Sequence, residues 1–456
     1  MNNADPLQAN ATTTGSTSTE PTSTEPTSTG SADGAPVQAS TARLVVSAVV
    51  LGCIVGQSFG RFSFGLLLPA VKKDLDVSYG LAGWLGTMNL GAYAVGAAVT
   101  SVVSVRVAAH RILQTGVVLA TLGIIILAIA PGTPVLLLGM MFCGIGGAAS
   151  WVPAPGISAA QFPPHRRGFA MGMTSAGIGI GIVLATLLTN VVRAVVDNPQ
   201  AWRQVWGVQG AIGVLASVYA FRMIKPVTIS AGAPIPLAGR VKDRPTGLEA
   251  KRSWGPSPFN VGAPPKLSVL RQVPRWWAPT AAYVCFGLGY VLYAVFVVAA
   301  LVQDAGFSNS HATRVFAFYG TGSALGALTI GRLSDRIGRR TTMIGCYLFA
   351  ALPCFTVLTG REPFVSVGGL LFGMSMSGAV VSLAAHIGDN TRPQDFSAAF
   401  GVVTLCFGVA QTVGPRLGGW MADRNGNFKA VFILAGFCWL LGGVCASGMR
   451  RSSPNV

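Results

Sequence analysis

From residue 44 onward the chain passes through twelve long apolar stretches, and that spacing leaves very few folds open to it. Their spans are 44–71, 80–104, 111–130, 134–159, 168–192, 204–224, 276–302, 312–332, 341–359, 364–387, 395–420 and 428–449. At about 1.5 Å per residue, each is long enough as a helix to cross a hydrocarbon core roughly 30 Å thick. In that core every backbone N–H and C=O must be satisfied within the chain, which favours helices. The expected fold is therefore an all-α membrane protein with twelve transmembrane helices. Pro131 to Pro134, which separates the third and fourth stretches, predicts a hairpin rather than one long kinked helix.

Charge placement then sets the topology. Lys and Arg number 32 against 15 acidic residues, an excess that in a water-soluble chain would raise nucleic-acid binding. Here the charges fall between apolar runs, so they report orientation and no nucleic-acid partner is expected. With the amino terminus inside, twenty-two basic residues lie in cytoplasmic segments and eight outside, while two arginines sit within helices. Both termini are thus expected in the cytoplasm of a multi-pass protein of the inner (plasma) membrane.

The long polar interruption at 225–275 divides the helices six and six. The organisation expected is a disordered Ser/Thr/Pro-rich cytoplasmic tail over 1–42, a six-helix bundle over 43–224, a cytoplasmic linker over 225–275, a second six-helix bundle over 276–449 and a tail over 450–456. The first tail repeats Thr17-Ser18-Thr19-Glu20-Pro21 as Thr22-Ser23-Thr24-Glu25-Pro26 and has no apolar h-region, so the first membrane helix serves as the insertion signal. A shift of 230 residues places Gly96 on Gly326, Ser104 on Ser334 and Arg106 on Arg336, making the halves pseudo-symmetric. The eight cysteines all lie in apolar runs without a C-x-x-C pair, so neither a metal site nor a disulfide framework is expected. No G-x-x-x-x-G-K-[ST] run or H-E-x-x-H pair is present. An enzyme is the least favoured class, and no cofactor is implied.

The densest charge cluster is Gly331-Arg332-Leu333-Ser334-Asp335-Arg336-Ile337-Gly338-Arg339-Arg340, pinned between apolar runs. It closely resembles the signature loop of the major facilitator superfamily. That resemblance implies that Gly331, Asp335, Arg336, Gly338, Arg339 and Arg340 form a latch that bridges helices on the cytoplasmic face and favours the outward-open state of a rocking transporter. The corresponding first-half loop is a decayed copy, with Ser101, Val105 and Ala108 where the second half has Gly331, Asp335 and Gly338. In the eleventh helix Gly414-Pro415 marks a kink, because proline removes a backbone donor. Drug/proton antiporter branches carry such a kink in the fifth helix. Here Gly172 to Gly181 contains no proline.

Arg61 is the most informative single residue. It falls near the middle of the first helix, where a charge costs on the order of 2.5 to 3.5 kcal/mol and is expected to face a wet cavity. Gln57 shares its helical face, as Asn89 does with Tyr93 in the second helix, and Tyr290 and Tyr293 sit close together in the seventh. The candidate substrate-binding set is Arg61, Gln57, Asn89, Tyr93, Trp151, Tyr290, Tyr293 and Gln411, with packing as the plainer alternative for Trp151, Tyr290 and Tyr293. Gly60-Arg61-Phe62, Gly83-Trp84-Leu85, Gly287-Leu288-Gly289-Tyr290 and the Gln411 to Pro415 stretch resemble a bacterial branch of the same superfamily.

A fixed cation with no carboxylate in any helix interior points to an anionic or strongly polar small-molecule substrate. Moving a monoanion inward against a negative interior costs about 2.3 kcal/mol per 100 mV, so accumulation requires a co-transported proton or exchange for another anion, with proton symport the first expectation. The acids Asp74, Asp304 and Asp389 lie at helix ends, and His386 is the histidine inside an apolar run. The function expected is a secondary transporter for a small organic anion such as a monocarboxylate, working as a monomer in the bilayer. Proton-coupled efflux of drugs or metabolites, and a membrane sensor on a transporter scaffold, stand as alternatives.

Overall fold

The computed structural model describes residues 34–104, 106–162, 167–196, 198–224, 267–391 and 396–450. The expectations for 1–33, for most of the 225–275 linker and for 451–456 lie outside the described residues. The chain divides into units 1–40 and 41–456; the described part of the first is the opening of one helix, and the packing and the site described below belong to the second.

The described residues are helical, with no strand among them. The first membrane crossing is α1 (Gly34–Cys53), a π-helical segment (Ile54–Phe62) and α2 (Ser63–Leu75). The first half continues with α3 (Tyr79–Val103), α4 (Ala109–Ile129), α5 (Thr133–Trp151), α6 (Ala154–Ala160), α7 (Arg167–Val195) and α8 (Ala201–Met223). A 3₁₀ turn (Leu267–Gln272) then leads into α9 (Trp277–Gln303), α10 (Asn309–Ile337), α11 (Arg339–Thr359), α12 (Phe364–Asn390), α13 (Phe396–Asn425) and α14 (Lys429–Ser447).

Three boundaries differ from the sequence expectation for definable reasons. Helix α1 begins at Gly34, ahead of residue 43, because Pro36 in its first turn and the Ala/Val/Gln residues after it are compatible with helix. The 267–272 segment forms a 3₁₀ turn inside the 225–275 linker. The fourth crossing is broken in two, since Pro153 has no N–H to continue α5 and α6 restarts just after it. The 131–134 hairpin forms as expected between α4 and α5.

Two halves repeat one packing pattern. In the first, α3 and α4 pack on α5 and α4 on α8; in the second, α10 and α11 pack on α12 and α11 on α14. Ser78 and Ser308, 230 residues apart, cap α3 and α10 alike, each hydroxyl accepting the amide three residues on, from Leu81 and His311. Gly96 rests on Ile145 and Gly326 on Met374, again matching positions of the repeat. The same symmetry governs the join, where α3 meets α13 and α7 meets α10.

Ten helical stretches satisfy a simple length-and-hydropathy test for membrane spans; α3 and α10 do not. Both are long enough. Their lower hydropathy reflects the glycines and polar residues they carry, among them Thr87 and Asn89 of α3 and Thr313 and Ser323 of α10.

Candidate functional site

The site begins with a local irregularity. Gly56 and Gly60 leave room for α5 to press against the first crossing, since a Cβ at Gly56 would lie 2.2 Å from Ser150 Oγ and one at Gly60 3.3 Å from Cys143 Cβ. The helix widens there into the π segment, a feature common at functional sites. Polar partners hold it in place. Gln57 Nε2 donates to Gly147 O at 2.8 Å, Ser58 Oγ to Ile178 O at 2.8 Å, and Asn89 Nδ2 to both Gly60 O (3.0 Å) and Met140 O (3.1 Å).

This framework projects Arg61 across the seam. Its Nη2 donates to Tyr290 Oη on α9 and to Gln411 Oε1 on α13, the latter at 2.6 Å. Tyr290 Oη donates to the same Gln411 oxygen at 2.7 Å. On its own side the guanidinium lies 4.7 Å above the Tyr93 ring and makes a long 3.5 Å contact with Gln57 Oε1. No carboxylate pairs with it among the described residues, and its Nε has no hydrogen-bond partner. Arg61 is therefore a half-buried cation satisfied by neutral dipoles, with a donor to spare.

Of the other candidates, Gln57, Asn89, Tyr93, Tyr290 and Gln411 surround Arg61, while Tyr293 and Trp151 do not join them. Tyr293 is fully buried in the second half, stacked 3.8 Å from Phe372, and Trp151 packs at the end of α5 against the apolar core. Sequence reasoning passed over the rings around Tyr290. Tyr283 and Phe286 share its face of α9 at helical spacing; Tyr283 stacks on Phe407 of α13 with centroids 4.4 Å apart, and Phe286 stacks on Tyr290 and lies tilted against Phe407.

A cavity of about 20 Å³ adjoins Arg61, lined among others by Phe62, Asn89, Leu90, Tyr290 and Val291. It has room for one water molecule and not for an organic solute.

One end of the molecule holds the halves together. Asp423 at the end of α13 accepts the Tyr79 and Gly80 amides at 2.8 and 2.7 Å, placing a carboxylate on the positive end of the α3 dipole. Tyr79 Oη donates to Gln303 Oε1, Thr87 Oγ1 to Thr412 O at 2.8 Å, and Thr313 Oγ1 to Asn190 Oδ1 at 2.8 Å. Glycines bring the backbones together: Gly65 lies against Ala294 O, Gly83 against Pro415 O and Gly419 against Tyr79 O. Helix α13 remains helical through Gly414 and Pro415, and Pro415 leaves the Gln411 carbonyl without its helical donor. The Asp423 contact was not visible in sequence, because Asp423 and the amides that donate to it are more than 340 residues apart. Replacing Asp423 with alanine is expected to cost this closed end about 2 kcal/mol, the scale of charge-assisted hydrogen bonds. Hydrogen–deuterium exchange of the peptide covering Tyr79 to Ala82 checks it; exchange should rise roughly thirtyfold.

At the opposite end, α10 turns into α11 through Gly338, whose φ of 90° is open to glycine and poorly to other residues. Arg339 pairs with Asp335 four residues earlier and with Asp389 of α12, its Nε 3.1 Å from Asp389 Oδ2. These ion pairs lie within the second half. Arg336 is exposed, Gly331 lies near Val381, and Arg340 keeps a buried Nε without a hydrogen-bond partner. Among the titratable candidates, Asp74 is held by Arg203 at 2.5 Å and Asp304 accepts the Phe428 amide at 2.7 Å. His386 is buried, and neither ring nitrogen has a hydrogen-bond partner.

Comparison with known proteins places this geometry. The family model described as Major Facilitator Superfamily matches residues 50–313 and 280–455. A probable 4-methylmuconolactone transporter of Cupriavidus pinatubonensis is 26% identical over 79% of this chain and 78% of its own length. Human monocarboxylate transporter 11 is 26% identical over 90% of this chain and 83% of its own. Among solved structures, the xylose transporter XylE from E. coli in a partially occluded inward-open conformation aligns with a TM-score of 0.69 at 14% identity, covering 91% of this chain and all of the other.

Proposed function

Because this chain belongs to the major facilitator superfamily, and is a secondary transporter, we propose that Arg61 binds the carboxylate of a small organic anion and that the chain carries a monocarboxylate by proton symport. The observation that carries this reading is a half-buried guanidinium at the seam of the two halves with no carboxylate partner among the described residues. Neutralising such a charge favours a ligand that brings an anion. Tyr290 and Gln411 hold the guanidinium in the substrate's absence; Tyr93, Gln57 and Asn89 orient it. Relatives named for monocarboxylates and for 4-methylmuconolactone support the class.

The 43–224 and 276–449 bundles are the moving bodies, joined by the 225–275 linker, with both termini in the cytoplasm and the monomer as working unit in the inner membrane. Closure at the Asp423 end then seals the outside. The latch of Gly331, Asp335, Arg336, Gly338, Arg339 and Arg340 works at the cytoplasmic end, where its ion pairs now lie within one bundle. His386 carries the coupling proton, since its ring nitrogens are unspent while Asp74, Asp304 and Asp389 are engaged.

Uptake of labelled carboxylates, sugars and vitamins into proteoliposomes tests the reading. Accumulation of a monocarboxylate is expected only with an acidic exterior, and a protonophore should abolish it. Uptake of neutral sugars in preference to carboxylates, or accumulation indifferent to the pH gradient, would remove the anion or the proton from the proposal respectively.

A further inference from the structure

The second arginine inside a membrane helix, Arg416 of α13, has no role at the Arg61 site. It lies nine residues before the end of α13, about 13 Å along the axis at the helical rise. That depth is within the hydrocarbon but within reach of the headgroup layer by an extended side chain. Among the described residues it forms no ion pair, and its guanidinium sits 5.6 Å from the Trp84 ring. The nearby carboxylate of Asp423 accepts the amides of Tyr79 and Gly80.

Arg416 opens into a groove of about 370 Å³ lined by Trp84 and Thr87 of α3 and by Thr412, Val413, Leu417 and Trp420 of α13. The volume is in the range of ligand sites. Trp84, Val413 and Trp420 are each about half exposed, so the groove faces sideways, toward the bilayer. Two indoles at this level match the interfacial belt, where an apolar body and a polar edge are both satisfied.

We propose that this groove is a binding site for an anionic phospholipid. Arg416 pairs with the phosphate, and an acyl chain lies along Val413 and Leu417 between the half-exposed rings of Trp84 and Trp420. A free phosphate is disfavoured, because it would have to lose its hydration beside apolar walls that it cannot cover. The lipid touches α3 and α13 together, on the seam that Thr87, Thr412 and Asp423 close. Its binding therefore favours the arrangement in which this end is shut, by its difference in affinity for the two states.

Native mass spectrometry of the full-length protein, released from detergent with phosphatidylglycerol, phosphatidylcholine or inorganic phosphate, tests the site. The wild type should retain one phosphatidylglycerol about fivefold more than Arg416→Gln does, the ratio expected for one basic residue near the membrane surface. Arg314→Gln, which removes an exposed charge from the same end, should behave as wild type. Leu417→Trp, which fills the groove and leaves Arg416 in place, should lose the lipid as well. If Arg416→Gln proves unstable, Leu417→Trp and Arg416→Lys, the latter keeping part of the retention, decide the question. Equal retention by wild type and Leu417→Trp, or inorganic phosphate raising the thermal midpoint as much as the lipid, would overturn the proposal.

Discussion

Arg61→Ala is expected to lower carboxylate uptake by at least about a hundredfold without harming the fold. Truncating one member of a desolvated charge pair costs about 2 to 5 kcal/mol, or some thirtyfold to several thousandfold in affinity. The protein itself has no need of the charge. Tyr290 donates directly to Gln411 at 2.7 Å, so the α9 to α13 contact does not run through the guanidinium and is expected to survive its removal. Removing a membrane-embedded cation with no carboxylate partner also relieves a cost of roughly 2.5 to 3.5 kcal/mol. The thermal midpoint of Arg61→Ala in detergent should therefore equal or exceed that of wild type while uptake disappears. Arg61→Lys keeps the charge but not the planar fork and should lose about tenfold. A purely structural arginine gives the reverse pattern, with a lower midpoint and uptake that falls in proportion to folded protein. If the alanine variant moves carboxylates at the wild-type rate, the substrate is recognised by something other than this charge.

The parts of this architecture that were legible in the sequence are those set by the bilayer and by covalent repetition. Span lengths fix where helices run, the 230-residue offset relates Ser78 to Ser308 and Gly96 to Gly326, and an arginine too costly for lipid had to face the interior. The site itself was half legible. Gln57 and Arg61 share a face, and the acceptors Tyr290 and Gln411 are both among the sequence candidates; but their convergence from α9 and α13 on residue 61 follows from no local spacing. Tyr293 illustrates the ambiguity, three residues from Tyr290 and yet turned into the aromatic core of its own half against Phe372. Membrane helices bury side chains against protein, cavity or lipid, and hydropathy alone does not separate the first two. The π segment was not legible at all, since it depends on Gln57, Ser58 and Asn89 finding backbone acceptors on neighbouring helices.

The glycines of the seam carry the second large effect. A Cβ at Gly83 would lie 2.3 Å from Pro415 O, and one at Gly419 would lie 2.1 Å from Tyr79 O. Both obstacles are backbone atoms, which no rotamer change can move, so valine at either position forces α3 and α13 apart. The two helices belong to different halves, and the halves of a transporter of this fold are built to separate. The strain of overpacking, typically 1 to 3 kcal/mol, then falls on the equilibrium between states and leaves folding intact. Gly419→Val should remain folded and monodisperse and transport at no more than a few per cent of wild type. In its background Val291→Cys, at a cavity-lining position 2% exposed with this end closed, should react with a membrane-impermeant thiol reagent at least tenfold faster than in the parent. Gly322 and Gly373 supply the contrast. A Cβ there meets Leu370 O and Tyr319 O at 2.0 Å, between α10 and α12 inside one half. The crowding is as severe, but those helices have no open state to relax into, so valine should lower the thermal midpoint or prevent folding. Should Gly419→Val instead transport normally, closure at the Asp423 end is no step in the cycle, and access to Arg61 must be controlled elsewhere.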